Sequence, residues 1–182
     1  MDTWIGPAIL AAVIAGLVNV AGWFVTFQST RRLEQMRRRE KVRDFQIALR
    51  AEIRSELRNL GSYDIQVQLS HVRKKYDTQP GYAVTVPRPA DAVVFQALVG
   101  DIQILPAGVI DPVVLFERQR AAIRQLAEEM REARFASLSR EQQTAMYEDY
   151  LNMWAAWRDF AVQAEAALDT SLSNPDAGRF DR

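Results

Sequence analysis

The densest group of acidic side chains, Glu128, Glu129 and Glu132, falls within one predicted helix. Carboxylates at this spacing could hold a divalent cation or act as a general acid and base. However, arginines lie three or four residues away along the same helix, and such pairs form ion pairs on a helix surface. We therefore expect these carboxylates to be neutralised by their neighbours in sequence, Arg124, Arg131 and Arg134.

Other side chains with catalytic chemistry are scarce. His71 is the only histidine, lies beside the basic run Arg73–Lys75, and is expected at the surface. The chain has no cysteine, which excludes disulfides, thiolate metal sites and a cysteine nucleophile. Neither a Glu-x-x-His pair nor a glycine-rich phosphate loop is present. The sequence thus predicts no enzyme activity, no metal and no cofactor.

The organising element is the uncharged run Trp4–Phe27, in which only Asn19 and Thr26 have polar side chains. As a helix it is long enough to cross a hydrocarbon core of about 30 Å. Trp4 and Trp23 stand near its two ends, where indole rings favour the headgroup level. The run therefore predicts a transmembrane anchor, residues 1–27.

Three other interpretations of this run fit less well. A cleavable signal peptide needs a basic start and a shorter apolar core, whereas this chain opens Met1–Asp2–Thr3. A helix buried in a core would need a larger protein around it, and an interfacial helix would need a polar face. The run also ends in the polar residues 28–31, which is typical of a stop-transfer segment.

Residues 28–43 form a predicted helical stalk with seven basic side chains against only Glu34 and Glu40. Basic residues close to a span stay on the cytoplasmic side, which predicts an outside N-terminus and a cytoplasmic remainder in a bacterial inner membrane. We also expect contact with anionic lipid headgroups. Nucleic acid is not expected, because no aromatics are interleaved and the rest of the chain is acidic. The basic residues are Arg31, Arg32, Arg37, Arg38, Arg39, Lys41 and Arg43.

Self-association is predicted from small residues on one face of the anchor. Ala8, Ala12 and Gly16 are spaced four apart, and small side chains at that spacing allow two helices to approach closely in lipid. The amide of Asn19 lies on the neighbouring stripe and requires a partner in hydrocarbon. The alternative is that small residues are simply common in spanning helices. The self-association hypothesis predicts a homo-oligomer.

The remainder, residues 44–172, is predicted to be an all-α antiparallel bundle, with a loose tail at 173–182. The first helix continues from the stalk and is kinked at Gly61–Ser62. A proline-bearing loop at 77–91 lays apolar side chains over the bundle or binds a partner. Later helices are predicted from a cap at Asp91, from Asp111–Pro112, and from the capping box Ser139–Gln142.

The last helix has an aromatic stripe that is wider than one core face needs. The stripe suits either the core of the bundle or a surface for a protein partner or second copy. Its members are Tyr147, Tyr150, Trp154, Trp157 and Phe160, of which the first four are the candidate partner surface.

Two stretches resemble a known group of proteins. The opening WIGPAILAAVIAGLVNVAGWFVTFQSTRRLEQMRRREKVRDFQIALRAEI is similar to that of uncharacterised bacterial single-pass inner-membrane proteins with an N-terminal anchor, an Arg-rich stalk helix and a helical cytoplasmic domain. The later VVFQALVGDIQILP resembles a segment that such proteins often have after a proline-bearing loop. The resemblance implies no activity, cofactor or binding residue, and it favours an inner-membrane location.

Taken together, these features predict a membrane-tethered helical interaction or scaffold protein that self-associates and has an unknown protein partner. One alternative is a phage- or mobile-element-linked membrane effector, for exclusion or defence, that acts through assembly of its anchors. A second is a periplasmic coiled-coil protein of spanin type, which would reverse the predicted orientation.

Overall fold

A computed structural model describes residues 5–61 and 64–174, except for the side chains of residues 5–15, 18, 20, 21 and 25. This part of the chain is helical and contains no strand, so the predicted all-α class is confirmed. The helices are α1 (Ile5–Leu60), α2 (Ile65–Thr78), α3 (Val93–Leu98), α4 (Ala107–Glu129), α5 (Ala133–Ala136) and α6 (Arg140–Ser173), with a 3₁₀ helix at Val99–Ile104 between α3 and α4.

The chain divides into two compact units, Met1–Arg43 and Asp44–Arg182. In the first unit, the described side chains of the apolar stretch are exposed, including those of Leu17, Trp23 and Phe24. No helix in the described part of the chain is both long enough and apolar enough to cross a membrane. The predicted anchor begins before the described residues, and the side chains of Ala8 and Ala12 lie outside them.

The second unit is built around α6, which runs antiparallel to its neighbours. Next to α1, Gln46 donates to Ser171 at 3.0 Å, and Arg50 donates to Asp169 at 2.8 Å. Residues of α2 and α4, which follow α1 in the chain, contact turns of α6 that precede Asp169. There, Arg73 lies 3.6 Å from Glu148, and Gln119 Nε2 donates to the carbonyl of Met153 at 3.0 Å.

Apolar faces of α1, α2, α4 and α6 share one core in the second unit. Phe116 and Trp157 stack at its centre with ring centroids 5.4 Å apart, and both are fully buried. The apolar positions of α4 recur three or four residues apart, the spacing that places side chains on one helix face. Its buried apolar residues are Val109, Val113, Phe116, Ile123 and Ala127.

Two predicted helix starts are wrong and one is confirmed. Ser139 and Gln142 form the predicted capping box at the start of α6. In contrast, α3 has Ala92 at its N-cap without a side-chain bond, so Asp91 is not its cap. Helix α4 begins at Ala107, so Pro112 lies inside it. The carbonyl that would have bonded to the missing N–H of Pro112 belongs to Gly108, an exposed residue whose carbonyl water can satisfy.

The predicted kink at Gly61–Ser62 is instead the end of a helix. Helix α1 ends at Leu60, and the N–H of Gly61 bonds to the carbonyl of Leu57 at 3.0 Å. Asp64 then starts α2, because its carboxylate accepts from the N–H groups of Gln66 and Val67 at 2.9 and 3.1 Å. Ser62 and the predicted tail after Asn174 lie outside the described residues.

Candidate functional site

An extended segment, residues 79–92, joins α2 to α3, and we call it the strap. Gly81 near its start has φ +79°, a left-handed conformation that glycine adopts without strain. Val84 and Val86 are buried, whereas Thr85 between them is exposed. The predicted loop therefore does lay apolar side chains over the bundle. Its alternative role as a binding loop stays untested.

Side chains from α4, from the turn after it and from α6 hold the strap in place. Arg131 Nη2 donates to the carbonyl of Val86 at 2.8 Å. The hydroxyl of Tyr150 donates to the carbonyl of Pro87 at 2.6 Å. Arg124 Nη2 lies 2.7 Å from a carboxylate oxygen of Asp91. These contacts satisfy strap groups that no regular secondary structure would satisfy.

Glu128 and Glu129, the two members of the acidic group on α4, are therefore not paired with the arginines that the sequence predicted. Arg124 of α4 and Arg131 of the turn after α4 contact the strap instead of these carboxylates. Glu128 lies 4.0 Å from Arg88 of the strap, and Glu129 accepts from Gln125 at 3.2 Å. Ion pairs between residues three or four apart do not form here, because the strap presents carbonyl and carboxylate groups to the same arginines.

We expect Tyr150→Phe to destabilise the chain by about 1–3 kcal/mol, because the carbonyl of Pro87 would lose its buried donor. Urea unfolding followed by circular dichroism measures this change. Tyr82→Phe is the matched control, since the Tyr82 hydroxyl makes no hydrogen bond in the described part of the chain and its ring contact with Tyr76 is retained. Equal stabilities of the two variants would contradict the assigned role of the Tyr150 hydroxyl.

A buried ion pair lies on the inner face of α4. Arg120 is 2% exposed, and its Nη2 is 2.5 Å from a carboxylate oxygen of Glu117. The guanidinium carbon also lies 5.9 Å from the centre of the Phe116 ring. Arg120 Nη1 is buried and has no hydrogen-bond partner among the described residues. The contact with Glu117 therefore offsets most of the free-energy cost of burying the Arg120 charge.

Glu52 of α1 lies near this pair and holds the start of α3. Its two carboxylate oxygens accept from the N–H groups of Val94 and Phe95, each at 3.1 Å. A carboxylate at a helix N-terminus satisfies free N–H groups and interacts favourably with the helix dipole. The sequence predicted Asp91 as the cap of α3, but the capping carboxylate comes from Glu52 of α1.

Burial raises the pKa of the Glu117 carboxyl, and the nearby charge of Glu52 raises it further. The charge and hydrogen bond of Arg120, and the charge of Arg124, lower this pKa without reversing the effect of burial. A carboxyl with a raised pKa binds its proton more tightly in the folded state. Its contribution to stability is therefore present at low pH and is lost as the pH rises through the raised pKa.

This sign predicts how Glu117→Gln changes the pH dependence of folding. The free energy of unfolding of the unchanged protein, relative to that of the variant, should fall as the pH rises from the ordinary carboxyl value of 4.5 towards neutrality. Comparing the two proteins cancels the opposite contribution of Asp169, whose pKa is lowered chiefly by its hydrogen bond from Arg50. Urea unfolding at several pH values measures the difference, and a difference that stays constant would contradict the prediction.

The aromatic stripe of α6 mainly faces inwards. Tyr147, Tyr150 and Trp157 are buried, and Trp154 is half-buried. Trp157 has no exposed surface, so the core interpretation accounts for it. The other three line a cleft of about 270 Å³ together with residues of α1, α2 and the strap. The partner-surface hypothesis stays a prediction for this cleft alone.

The remaining predicted residues are distributed along α1. Gly16 and Asn19 are exposed, and so is each of the seven basic residues of the stalk. The guanidinium of Arg31 lies 4.3 Å from the centre of the Phe27 ring, which itself stacks on Trp23. His71 is exposed, and no group of three potential metal ligands occurs among the residues that the structure describes.

Sequence reasoning missed Glu52, Glu117 and Arg120. A signal for Arg120 does exist, because it falls between Phe116 and Ile123 at the spacing of the apolar face. Glu52 has no such signal, since its partners lie on a helix far away in sequence. Comparison with protein-family models, with curated proteins and with solved structures found no match to this chain.

Proposed function

We propose that this chain is a membrane-tethered helical interaction or scaffold protein of a bacterial inner membrane, with the second unit in the cytoplasm. The exposed apolar side chains of the first unit carry this proposal. Leu17 is 65% exposed and Trp23 67% exposed, with Phe24 and Phe27 beside them on the same helix. Such a patch, in a run of residues without charges, indicates a lipid or protein neighbour.

The hydroxyl groups near the end of the apolar run are suited to a dry environment. Thr26 Oγ1 donates to the carbonyl of Gly22 at 2.9 Å, and Thr30 Oγ1 donates to the carbonyl of Thr26 at 2.9 Å. Ser29 likewise donates to the carbonyl of Thr26 at 2.9 Å. Because these donors are satisfied within the helix, they need no water at the edge of the hydrocarbon.

The boundary between apolar and basic residues supports an interfacial position for Trp23, Phe27 and Arg31. These residues are four apart, so they share one face of α1, and their side chains contact each other in series. Aromatic rings favour the headgroup level, and each basic residue near an anionic surface contributes about 1 kcal/mol of attraction. The ligand of the basic stalk in this proposal is the anionic lipid headgroup.

An interaction role for the second unit is supported by its chemistry. Several of its charged side chains serve structure: Arg120 pairs with Glu117, Glu52 holds α3, and Arg131 holds the strap. The cleft beside Trp154 is a concave, largely apolar surface that suits a partner. Self-association through α1 and recruitment of a protein by the second unit together constitute the proposed scaffold function.

Membrane extraction and protease protection test this proposal. The full-length protein should stay with vesicles after carbonate and high-salt washing. Protease added to spheroplasts should leave the second unit intact, whereas protease added to inverted membrane vesicles should digest it. Release by carbonate would contradict the anchor. Digestion in spheroplasts would contradict the orientation and favour the periplasmic coiled-coil alternative.

A further inference from the structure

A row of α1 residues continues from the apolar run into the basic stalk, and we call it the seam. Its members alternate three and four positions apart, which is the heptad spacing of a left-handed coiled coil. Helix α1 is unbroken over this stretch, so the members share one face. The seam consists of Asn19, Gly22, Thr26, Ser29, Leu33 and Met36, and Ala8, Ala12 and Ala15 precede it in sequence at the same spacing.

The stalk end of the seam exposes large apolar side chains among charges. Leu33 is 57% exposed and Met36 is 58% exposed, although arginines surround them in sequence. Together they form a small apolar patch within a charged surface, which the same two residues of a second helix would cover. They occupy the two core positions of one heptad.

At the membrane end of the seam the side chains are small, and their hydroxyls are already hydrogen-bonded. A Cβ added at Gly22 would meet nothing within 4 Å, so a second backbone can approach there. The hydroxyls of Thr26 and Ser29 are already bonded to carbonyls of their own helix. This part of the seam therefore presents little volume and no unsatisfied hydroxyl to a neighbouring helix.

Asn19 and the charges of the stalk point to a second copy as the neighbour. The Asn19 amide makes no hydrogen bond in the described part of the chain, and it is both donor and acceptor, so two copies satisfy each other. The next seam position is Glu40, which a parallel second copy would meet with its own Arg39 and Arg43.

We infer that two copies of this chain associate in parallel along the seam, from Asn19 to Met36, as a left-handed coiled coil that crosses from lipid into the stalk. This inference rests on the membrane-tethered function proposed above. It keeps Asn19 and the stripe of Ala8 and Ala12, but continues that stripe through Ala15 and Gly22 instead of Gly16. It also extends the contact beyond the hydrocarbon.

Cysteine crosslinking tests the seam, because the natural chain has no cysteine. Full-length variants with a single cysteine would be placed in vesicles of mixed anionic and zwitterionic phospholipid and oxidised. Ser29→Cys, Leu33→Cys and Met36→Cys should form a covalent dimer. Matched controls place the cysteine on other faces of the same turns and should form no covalent dimer: Arg31→Cys, Gln35→Cys and Arg38→Cys.

The same samples separate failure of the seam from failure of the tether. Flotation of the vesicles shows whether each variant is membrane-bound. Floating protein that crosslinks equally at all six positions, or best at the controls, would overturn the seam and leave the tether standing. Protein that does not float would overturn the tether itself. Adding Asn19→Leu to Leu33→Cys should reduce the dimer fraction, and an unchanged fraction would overturn the role of the amide.

Discussion

The Arg120→Met variant should lose about 3–5 kcal/mol of unfolding free energy, because the largely buried Glu117 carboxylate would be left without its cation. Arg120 is almost fully buried, and Glu117 is its charged partner. Glu117→Leu should be similarly damaging, since it leaves the guanidinium unpaired. Urea unfolding of the full-length protein in detergent measures both changes.

The double variant Glu117→Leu with Arg120→Met should be less destabilised than the sum of its two single variants. Replacing both charges by apolar groups removes the cost of burying either one alone, so the double-mutant cycle should show strong coupling. Arg118→Met is the control, because Arg118 is exposed on the same helix and its loss should change stability by no more than about 0.5 kcal/mol. Additive single effects would show that the ion pair contributes no specific interaction.

Leu17→Arg should transfer a large share of the protein from the membrane to the soluble fraction. Leu17 lies near the middle of the uncharged run, where an arginine costs about 2.5–3.5 kcal/mol of insertion free energy. Fractionation followed by flotation of the membranes measures the shift.

Two matched substitutions control this experiment. Leu17→Phe keeps an apolar side chain and should remain in the membrane. Leu115→Arg adds the same charge at an exposed position of α4 and should also remain there. If Leu17→Arg partitioned as these controls do, the apolar run would not be the element that holds the protein in the membrane.

Local patterns predicted most of the helices. The capping box at Ser139 and Gln142 was correct because its two hydrogen bonds join residues three apart and depend on little else. The proline-bearing loop was correct because Pro80, Pro87 and Pro89 lie within ten residues, and each removes a backbone donor and disfavours helix in the residue before it. The start of α4 was wrong because Asp111–Pro112 is typical of a helix start, yet the preceding residues pack Val109 into the core and extend the helix backwards.

By itself, the sequence determined the all-α class, the uncharged run, its basic flank and the alternation of Val84 and Val86 in the strap. Only the tertiary structure decided where the charges go: Arg131 to the strap, Glu52 to the start of α3, and Arg120 into the core. The physical reason is the range of each interaction. Helix formation and capping join residues within one turn, whereas Arg131 and Val86 are 45 residues apart and meet only when the turn after α4 has packed against the strap.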